Sequence, residues 1–126
     1  MAPSPKRIAI LDDSSTIRQV ISGLLEGAGH EVVPCATWPE LEEVLGQRSL
    51  DLVLLDVEMP DIVGDHIGFA IKRGRPDLRV VYLSDHDEET LRAMSERTGV
   101  DGFIRKGSDP TQLRERILAE LSPTEP

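Results

Sequence analysis

The sequence predicts an α/β fold in which a parallel sheet of five strands is covered by helices on both faces. Short apolar runs alternate five times with helical segments along the 126 residues. The run from Leu52 to Leu55 is apolar at every position, which is typical of a strand buried on both faces. Consecutive parallel strands need a crossover connection, and a helix in each connection produces a doubly wound sheet.

Five apolar runs predict the strands, and the fifth run is the weakest. They are Ile8 to Leu11, Val32 to Cys35, Leu52 to Leu55, Val80 to Leu83, and Phe103 to Ile104. Pro34 cannot donate a ladder hydrogen bond, so we expect the second strand at an edge of the sheet. The strand order 2-1-3-4-5 satisfies that requirement.

The first helix has the strongest pattern of all the predicted helices. Ser14 or Ser15 is placed to cap its start, and Gly29 is placed to stop it. Apolar residues recur at helical spacing along it: Ile17, Val20, Ile21, Leu24, Leu25 and Ala28.

The second and fifth helices begin with capping signatures. Thr37–Glu40 is a capping box with proline in the first turn, and Gly46 is expected to end that helix. Asp109–Gln112 combines an N-cap aspartate, a proline and a partner glutamine. The inner stripe of the fifth helix is predicted to be Leu113, Ile117 and Leu121.

The third and fourth helices have weaker apolar faces. Asp65–Arg73 is flanked and interrupted by glycines, and Asp87–Arg97 is highly charged. We expect the fourth helix to be exposed and loosely held. The residues predicted to face the core are Ile67, Ala70 and Ile71 in the third helix, and Leu91, Ala93 and Met94 in the fourth.

Length and composition limit the domain organisation and the classes of function. A chain of this length predicts one domain over residues 1–126, with an ordered core over about residues 6–121 and a flexible tail over 122–126. The formal charge of −9 repels phosphate backbones, so direct binding to nucleic acid is not expected.

Cysteine content and hydropathy indicate the compartment. The single cysteine, Cys35, cannot form an internal disulfide and is expected to be a small buried apolar residue. The sequence has no charged-then-apolar leader and no apolar run near the ~20 residues of a membrane span. We therefore expect a cytoplasmic protein that does not contact a membrane.

Polar side chains follow four of the predicted strands. Asp12 and Asp13 follow the first strand, Asp56 the third, Ser84 the fourth and Lys106 the fifth. The carboxyl ends of parallel strands share one edge, where open α/β sheets bind ligands. The three carboxylates repel each other unless a cation lies among them, and hard oxygen ligands with open positions suit Mg²⁺.

This edge can support phosphoryl transfer to an aspartate. Such a reaction needs positioning, a metal and donors for the equatorial oxygens rather than covalent help from the protein. Asp56 would be the nucleophile, and Lys106 and Ser84 would hold the remaining phosphoryl oxygens. The product would be an acyl phosphate on aspartate.

The chain resembles a receiver domain of a two-component response regulator over nearly all its length. The matching stretches are Ile10–Ser14, Leu54–Pro60, Leu83–Ser84 and Asp101–Lys106. The resemblance implies a flavodoxin-like fold and a Mg²⁺-dependent signalling domain that catalyses only its own phosphorylation and dephosphorylation. It also implies a histidine kinase or phosphotransfer protein upstream and an output domain or protein downstream, and it leaves a homodimer open.

The resemblance also implies roles for individual residues. Asp56 would be the phosphoacceptor, Asp13 a direct metal ligand and Asp12 a ligand through water. The Glu58 main-chain carbonyl would be a third protein ligand. Two further positions match the switch hydroxyl and the lysine of the family: Ser84 and Lys106. Phosphorylation would change the surface formed by the fourth helix, the fifth strand and the fifth helix.

Three residues depart from the family pattern. Gly107 stands where most relatives have proline after a cis peptide, and because a non-proline cis bond costs about 2.5 to 4 kcal/mol we predict a trans bond. Asp85 replaces a small residue and would either add a fourth carboxylate, slowing phosphoryl turnover, or cap the following helix. Phe103 occupies the switch aromatic position without a hydroxyl, so any switch there must work through packing.

These departures keep a second function open. The chain could be a receiver-like interaction module that signals without phosphorylation. A phosphohydrolase with an aspartyl nucleophile is disfavoured, because such enzymes need a second acid near the nucleophile and a capping region for which this chain has no room.

Overall fold

A computed structural model of the chain describes residues 5–59, 64–107 and 109–121. Its strands are β1 (Arg7–Leu11), β2 (Glu31–Cys35), β3 (Leu52–Asp56), β4 (Arg79–Ser84) and β5 (Gly102–Arg105). Its helices are α1 (Ser15–Glu26), α2 (Trp38–Gln47), α3 (Gly64–Gly74), α4 (Glu88–Thr98) and α5 (Pro110–Leu121). Strands and helices alternate throughout, as predicted.

The five strands form one parallel sheet in the predicted order β2-β1-β3-β4-β5. The edge strand β2 contains Pro34, which pairs with Ile10 of β1 and is exposed. An edge strand tolerates proline because one side of its backbone has no partner. All five residues of β3 are buried, in keeping with its central place in the sheet.

The alternation of side chains along the strands divides the core into two layers. Ile8 and Ile10 face one side of β1, whereas Ala9 and Leu11 face the other. On the first side the sheet packs against apolar residues of α1 and α5: Ile21, Leu25, Leu113 and Ile117. On the second side it packs against residues of α2, α3 and α4: Leu41, Leu45, Ile67, Ile71 and Leu91. The burial of apolar side chains on both faces of the sheet is the main hydrophobic contribution to the stability of the domain.

The predicted start of α1 is confirmed, and Ser14 rather than Ser15 is its N-cap. The Ser14 hydroxyl accepts a hydrogen bond from the Ile17 amide at 3.2 Å. The helix ends at Glu26, and Gly29 beyond it has a φ of +92°, a conformation that glycine adopts without strain.

The capping box of α2 is present, but the predicted end of the helix is wrong. Thr37 Oγ1 accepts a hydrogen bond from the Glu40 amide at 3.3 Å. The helix continues through Gly46 and ends at Gln47. Glycine within a last turn weakens a helix without having to stop it, since the tertiary contacts of Leu41 and Leu45 hold the segment.

Helix α3 forms where expected, with one error on its inner face. Ile67 and Ile71 are buried, whereas Ala70 is exposed. The position between them that does face the sheet is Gly68, where a Cβ atom would lie 3.0 Å from Cζ of Tyr82. The lack of a side chain at Gly68 therefore lets the Tyr82 ring lie against the helix backbone.

Helix α4 is anchored differently from the prediction. Asp87 caps it by accepting a hydrogen bond from the Thr90 amide at 2.7 Å. Ala93 is exposed, so the prediction that it faces the core is wrong. The residues buried with Leu91 include the polar Ser95 and Thr98, which an apolar pattern cannot reveal.

Helix α5 begins and packs as predicted. Asp109 Oδ1 accepts hydrogen bonds from the amides of Thr111 and Gln112 at 2.9 and 3.1 Å. Leu113 and Ile117 are buried, and Leu121 packs against the same layer. The flexible tail predicted over 122–126 lies outside the described residues. No helix in the described part of the chain is long and apolar enough to span a membrane.

Candidate functional site

Three carboxylates meet at the carboxyl edge of the sheet. Asp12 and Asp13 follow β1, and Asp56 ends β3, the neighbour of β1. One oxygen from each carboxylate lies within 4.8 Å of the other two. Asp12 and Asp56 are 0% and 3% exposed, whereas Asp13 is open to solvent. The strand order thus brings together residues that are more than forty positions apart in the chain.

Lys106 extends into this cluster from the end of β5. Its Nζ lies 3.0 Å from Asp12 Oδ2 and 3.2 Å from Asp56 Oδ1. Its backbone amide donates to the carbonyl of Ser84 at 2.8 Å, which holds it beside the end of β4. No peptide bond in the described part of the chain is cis, so the trans bond predicted before Gly107 is confirmed. Lys106 reaches both carboxylates from a trans backbone.

Burial and neighbouring charges shift the pKa values of Asp56 and Lys106. Burial raises the pKa of Asp56 to about 6, although a hydrogen bond from the Glu58 amide and the charge of Lys106 act in the opposite direction. Burial tends to lower the pKa of Lys106, but the partners Asp12 and Asp56 outweigh it and hold that pKa above its usual value. At neutral pH the site therefore contains an ionised Asp56 carboxylate and a protonated Lys106.

The residues present fit a divalent cation with oxygen ligands. The three aspartates offer carboxylate oxygens close enough to share one ion, and Asp13 is open to solvent on one side. Mg²⁺ prefers oxygen ligands and keeps several of its waters. Asp12 Oδ1 accepts a hydrogen bond from the Ser14 amide at 2.9 Å, which orients that carboxylate at the start of α1.

A side chain that sequence reasoning did not assign to the site lies beside these residues. The family resemblance assigns the main-chain carbonyl of Glu58 to the site, and not its side chain. In the structure its Oε2 accepts hydrogen bonds from the Ser84 hydroxyl at 2.9 Å and from the Asp85 amide at 2.7 Å. The sequence signal is an acid two residues beyond the end of β3, the strand that pairs with the strand ending in Ser84.

The Glu58 carboxylate is held as an anion by these donors. Burial tends to raise the pKa of Glu58, but the hydrogen bonds from Asp85 and Ser84 outweigh it, so the pKa lies below the ordinary value. Ser84 also accepts a hydrogen bond from the His86 amide at 3.0 Å. Ser84 is fully buried, and its hydroxyl both donates and accepts a hydrogen bond.

The structure gives the positions of Asp85 and Phe103, two of the residues that depart from the family pattern. Asp85 is exposed and is not one of the clustered carboxylates. The N-cap of α4 is Asp87, so the helix cap, one of the two alternatives for Asp85, is wrong, and its effect on phosphoryl turnover stays a prediction. Phe103 is half-buried against the core layer between the sheet and helices α2, α3 and α4, here called the α2–α4 layer. The guanidinium carbon of Arg92 lies 5.7 Å from the centre of the Phe103 ring. This distance suits a cation–π contact between α4 and β5.

Comparison with known proteins identifies the family. The model of the response regulator receiver domain matches residues 8–118. The chain is 32% identical over 123 residues to the phosphate regulon transcriptional regulatory protein PhoB of Pseudomonas aeruginosa, covering 96% of this chain and 54% of that protein. It is 30% identical over 118 residues to the CAI-1 autoinducer sensor kinase/phosphatase CqsS of Vibrio cholerae, covering 90% of this chain and 17% of that protein.

Solved structures agree with this family match. A CheY-like response regulator receiver domain protein from Methanospirillum hungatei superposes with a TM-score of 0.83 at 29% identity, covering 94% of each chain. The chain spans about half or less of the length of the two curated relatives above. The sequence motifs, the strand order and these matches lead to one conclusion: the chain belongs to the response regulator receiver domain family.

Proposed function

We propose that this receiver domain accepts a phosphoryl group on Asp56 from a phosphohistidine donor in a Mg²⁺-dependent reaction. The observation that supports this most directly is the contact of one lysine with two buried carboxylates, Lys106 with Asp12 and Asp56, at the edge where a third carboxylate is open to solvent. Such an arrangement has the positive and negative charges that phosphoryl transfer needs.

The chain's own residues have defined roles in the proposed reaction. A carboxylate oxygen of Asp56 forms the new bond to phosphorus while the bond from phosphorus to the donor imidazole breaks, and the imidazole keeps the electron pair and takes up a proton. Lys106 neutralises charge on a transferred oxygen. Mg²⁺, held by Asp12, Asp13, Asp56 and the Glu58 carbonyl, would bring the two negatively charged reactants together.

Phosphorylation would then change the surface formed by α4, β5 and α5. Ser84 would turn towards a phosphoryl oxygen, and Phe103 would follow into the space that it leaves. Phe103 has no hydroxyl, so its contact with Arg92 and its packing against α4 are the interactions available to couple the site to this surface.

The partners follow from the same proposal. A histidine kinase or phosphotransfer protein would supply the phosphoryl group, and an output domain or a separate protein would recognise the changed surface, with homodimerisation as one way to do so. The domain would act as a signalling element in the cytoplasm and catalyse only reactions of its own aspartate. DNA contact, if the pathway needs it, would belong to another domain or protein.

One observation favours a second function, a receiver-like interaction module that signals without phosphorylation. The Ser84 hydroxyl and the Asp85 amide, which would serve a phosphoryl group, already donate to Glu58. An ordered site of this kind could present a fixed docking surface.

Intact-mass measurement separates the two functions. The protein is incubated with Mg²⁺ and acetyl phosphate as a small-molecule donor. The proposal predicts a gain of one phosphoryl group that is absent from Asp56→Asn and present in Asp77→Asn, a matched change at an exposed position outside the cluster. Equal masses with and without the donor, in protein shown to bind Mg²⁺, would favour the interaction module.

A further inference from the structure

The Glu58 side chain occupies two donors that a phosphoryl oxygen could use, the Ser84 hydroxyl and the Asp85 amide, at the end of the strand that pairs with β3. We propose that this carboxylate is an internal gate, which must leave Ser84 and the Asp85 amide before a phosphoryl group on Asp56 can be held. The inference rests on the proposed function and concerns the regulation of the same site.

The hydrogen bonding shows why the Glu58 contact and a bound phosphoryl group exclude each other. A serine hydroxyl has one hydrogen to donate, and that of Ser84 is directed to Glu58 Oε2 at 2.9 Å. The Asp85 amide, which also has one hydrogen, donates to the same oxygen at 2.7 Å. A phosphoryl oxygen can take either donor only by displacing the Glu58 carboxylate.

The gate is connected directly to the nucleophile. Glu58 is two residues beyond Asp56, and its amide donates to Asp56 Oδ1 at 2.9 Å. Negative charge added to Asp56 would therefore repel the Glu58 carboxylate over a short distance. Because Glu58 is exposed as a residue, its carboxylate can turn into solvent without any rearrangement of the core.

The gate thus favours the unphosphorylated state. It keeps the Ser84 hydroxyl bonded to Glu58, and its negative charge opposes an incoming dianion. Releasing it should make the site accept phosphoryl groups and their analogues more readily, since no bonds then have to be exchanged.

Two variants of Glu58 test the contact and the charge separately. Glu58→Ala removes both, whereas Glu58→Asp keeps the charge on a side chain one methylene shorter, which withdraws the carboxylate from Ser84 and Asp85. Both variants keep the main-chain carbonyl. Glu42→Ala, a change at an exposed position on α2, is the control for lost negative charge.

The measurement is the Mg²⁺-dependent affinity for beryllofluoride, a tetrahedral anion that copies a phosphoryl group, followed by the amide resonances of residues 84 to 86. Initial rates of labelling by acetyl phosphate are measured in parallel. We expect both Glu58 variants to gain about threefold to tenfold in affinity and rate, the range for one or two exchanged hydrogen bonds. The Asp85 amide resonance should also move upfield in both variants before any anion is added, while Glu42→Ala should match the wild type.

Each remaining outcome decides a specific point. If Glu58→Ala gains nothing while the wild type is labelled, the gate is wrong and the proposed function stands. If Glu58→Ala gains and Glu58→Asp does not, repulsion at a distance replaces the gate. Labelling of Glu58→Ala but not of the wild type would support the gate and would favour the interaction module for the wild-type chain. If no form is labelled or binds beryllofluoride, the proposed function fails, and the gate fails with it.

Discussion

The Tyr82 hydroxyl donates a hydrogen bond to Thr98 Oγ1 at 3.0 Å and thereby joins the buried centre of β4 to the end of α4. Thr98 in turn donates to the carbonyl of Met94 at 2.8 Å. This chain of polar contacts inside the α2–α4 layer explains how a highly charged helix with few buried apolar residues is held on the sheet. Helix α4 is also part of the proposed output surface.

Removal of this hydroxyl should destabilise the domain. We expect Tyr82→Phe to lower the free energy of unfolding by about 1 kcal/mol, the usual net value of one hydrogen bond. Urea unfolding of the wild type, Tyr82→Phe, Thr98→Val and the double variant gives the measurement. A double variant whose loss equals the sum of the single losses would show that the two side chains do not interact.

The close approach of α3 to the Tyr82 ring gives a second prediction. Gly68→Ala would place a methyl group against that ring, and we expect it to cost about 1–3 kcal/mol of unfolding free energy through overpacking. Gly46→Ala is the matched control, because no atom lies within 4 Å of a Cβ at this helical position.

The control should move in the opposite direction. Alanine is favoured over glycine inside a helix, so Gly46→Ala is expected to stabilise the protein by up to about 1 kcal/mol. Equal effects of the two substitutions in urea unfolding would show that helix propensity, and not contact with Tyr82, controls position 68.

Magnesium should stabilise the folded chain through the three clustered carboxylates. A ligand at about ten times its Kd contributes about 1.4 kcal/mol to folding, so Mg²⁺ should raise the Tm measured by calorimetry. Asp13→Asn removes one carboxylate from the cluster and should abolish most of this rise, while Asp77→Asn should keep it.

The Tm without metal provides an additional check. Asp13→Asn also reduces repulsion among the carboxylates, so its Tm in the presence of a chelator should equal or exceed that of the wild type. A full Mg²⁺ response in Asp13→Asn would argue against the proposed ligand set.

The buried thiol predicts a pH dependence in the alkaline range. Burial raises the pKa of Cys35 from 9.0 to about 11, with the charge of Glu40 acting in the same direction and that of Arg18 against it. Because the folded pKa is the higher one, the resulting stability is present below pH 9.0 and is lost as the pH rises towards about 11. By pH 10 the loss should be about 1 kcal/mol relative to pH 8.

Comparison with Cys35→Ala isolates this contribution, since the difference in unfolding free energy between the two proteins should shrink between pH 8 and pH 10. Thiol reagents should also react with native Cys35 far more slowly than with the urea-unfolded chain. A difference that stays constant with pH would mean that the folded and unfolded thiols ionise alike.

Local patterns predicted the architecture well, and the errors occurred where polar contacts or tight packing replaced the apolar pattern. The apolar run Leu52–Leu55 predicted a central strand, and Pro34 predicted the edge. By contrast, the pattern of α4 predicts that Ala93 faces the core, but Ala93 is exposed. The residues of α4 that are buried with Leu91 are Ser95 and Thr98. A buried polar residue has no periodic signal, because its burial depends on a partner from a distant segment.

The sequence by itself determined the order of the elements, the edge position of β2 and which polar residues end the strands, since these depend on periodicity, proline geometry and the shared direction of parallel strands. Only the tertiary structure decided the contacts between those residues. It placed Lys106 between Asp12 and Asp56 and gave the Glu58 carboxylate to Ser84 and the Asp85 amide. Such contacts depend on distances of about 3 Å between side chains from different strands, and a one-dimensional pattern carries no information on them.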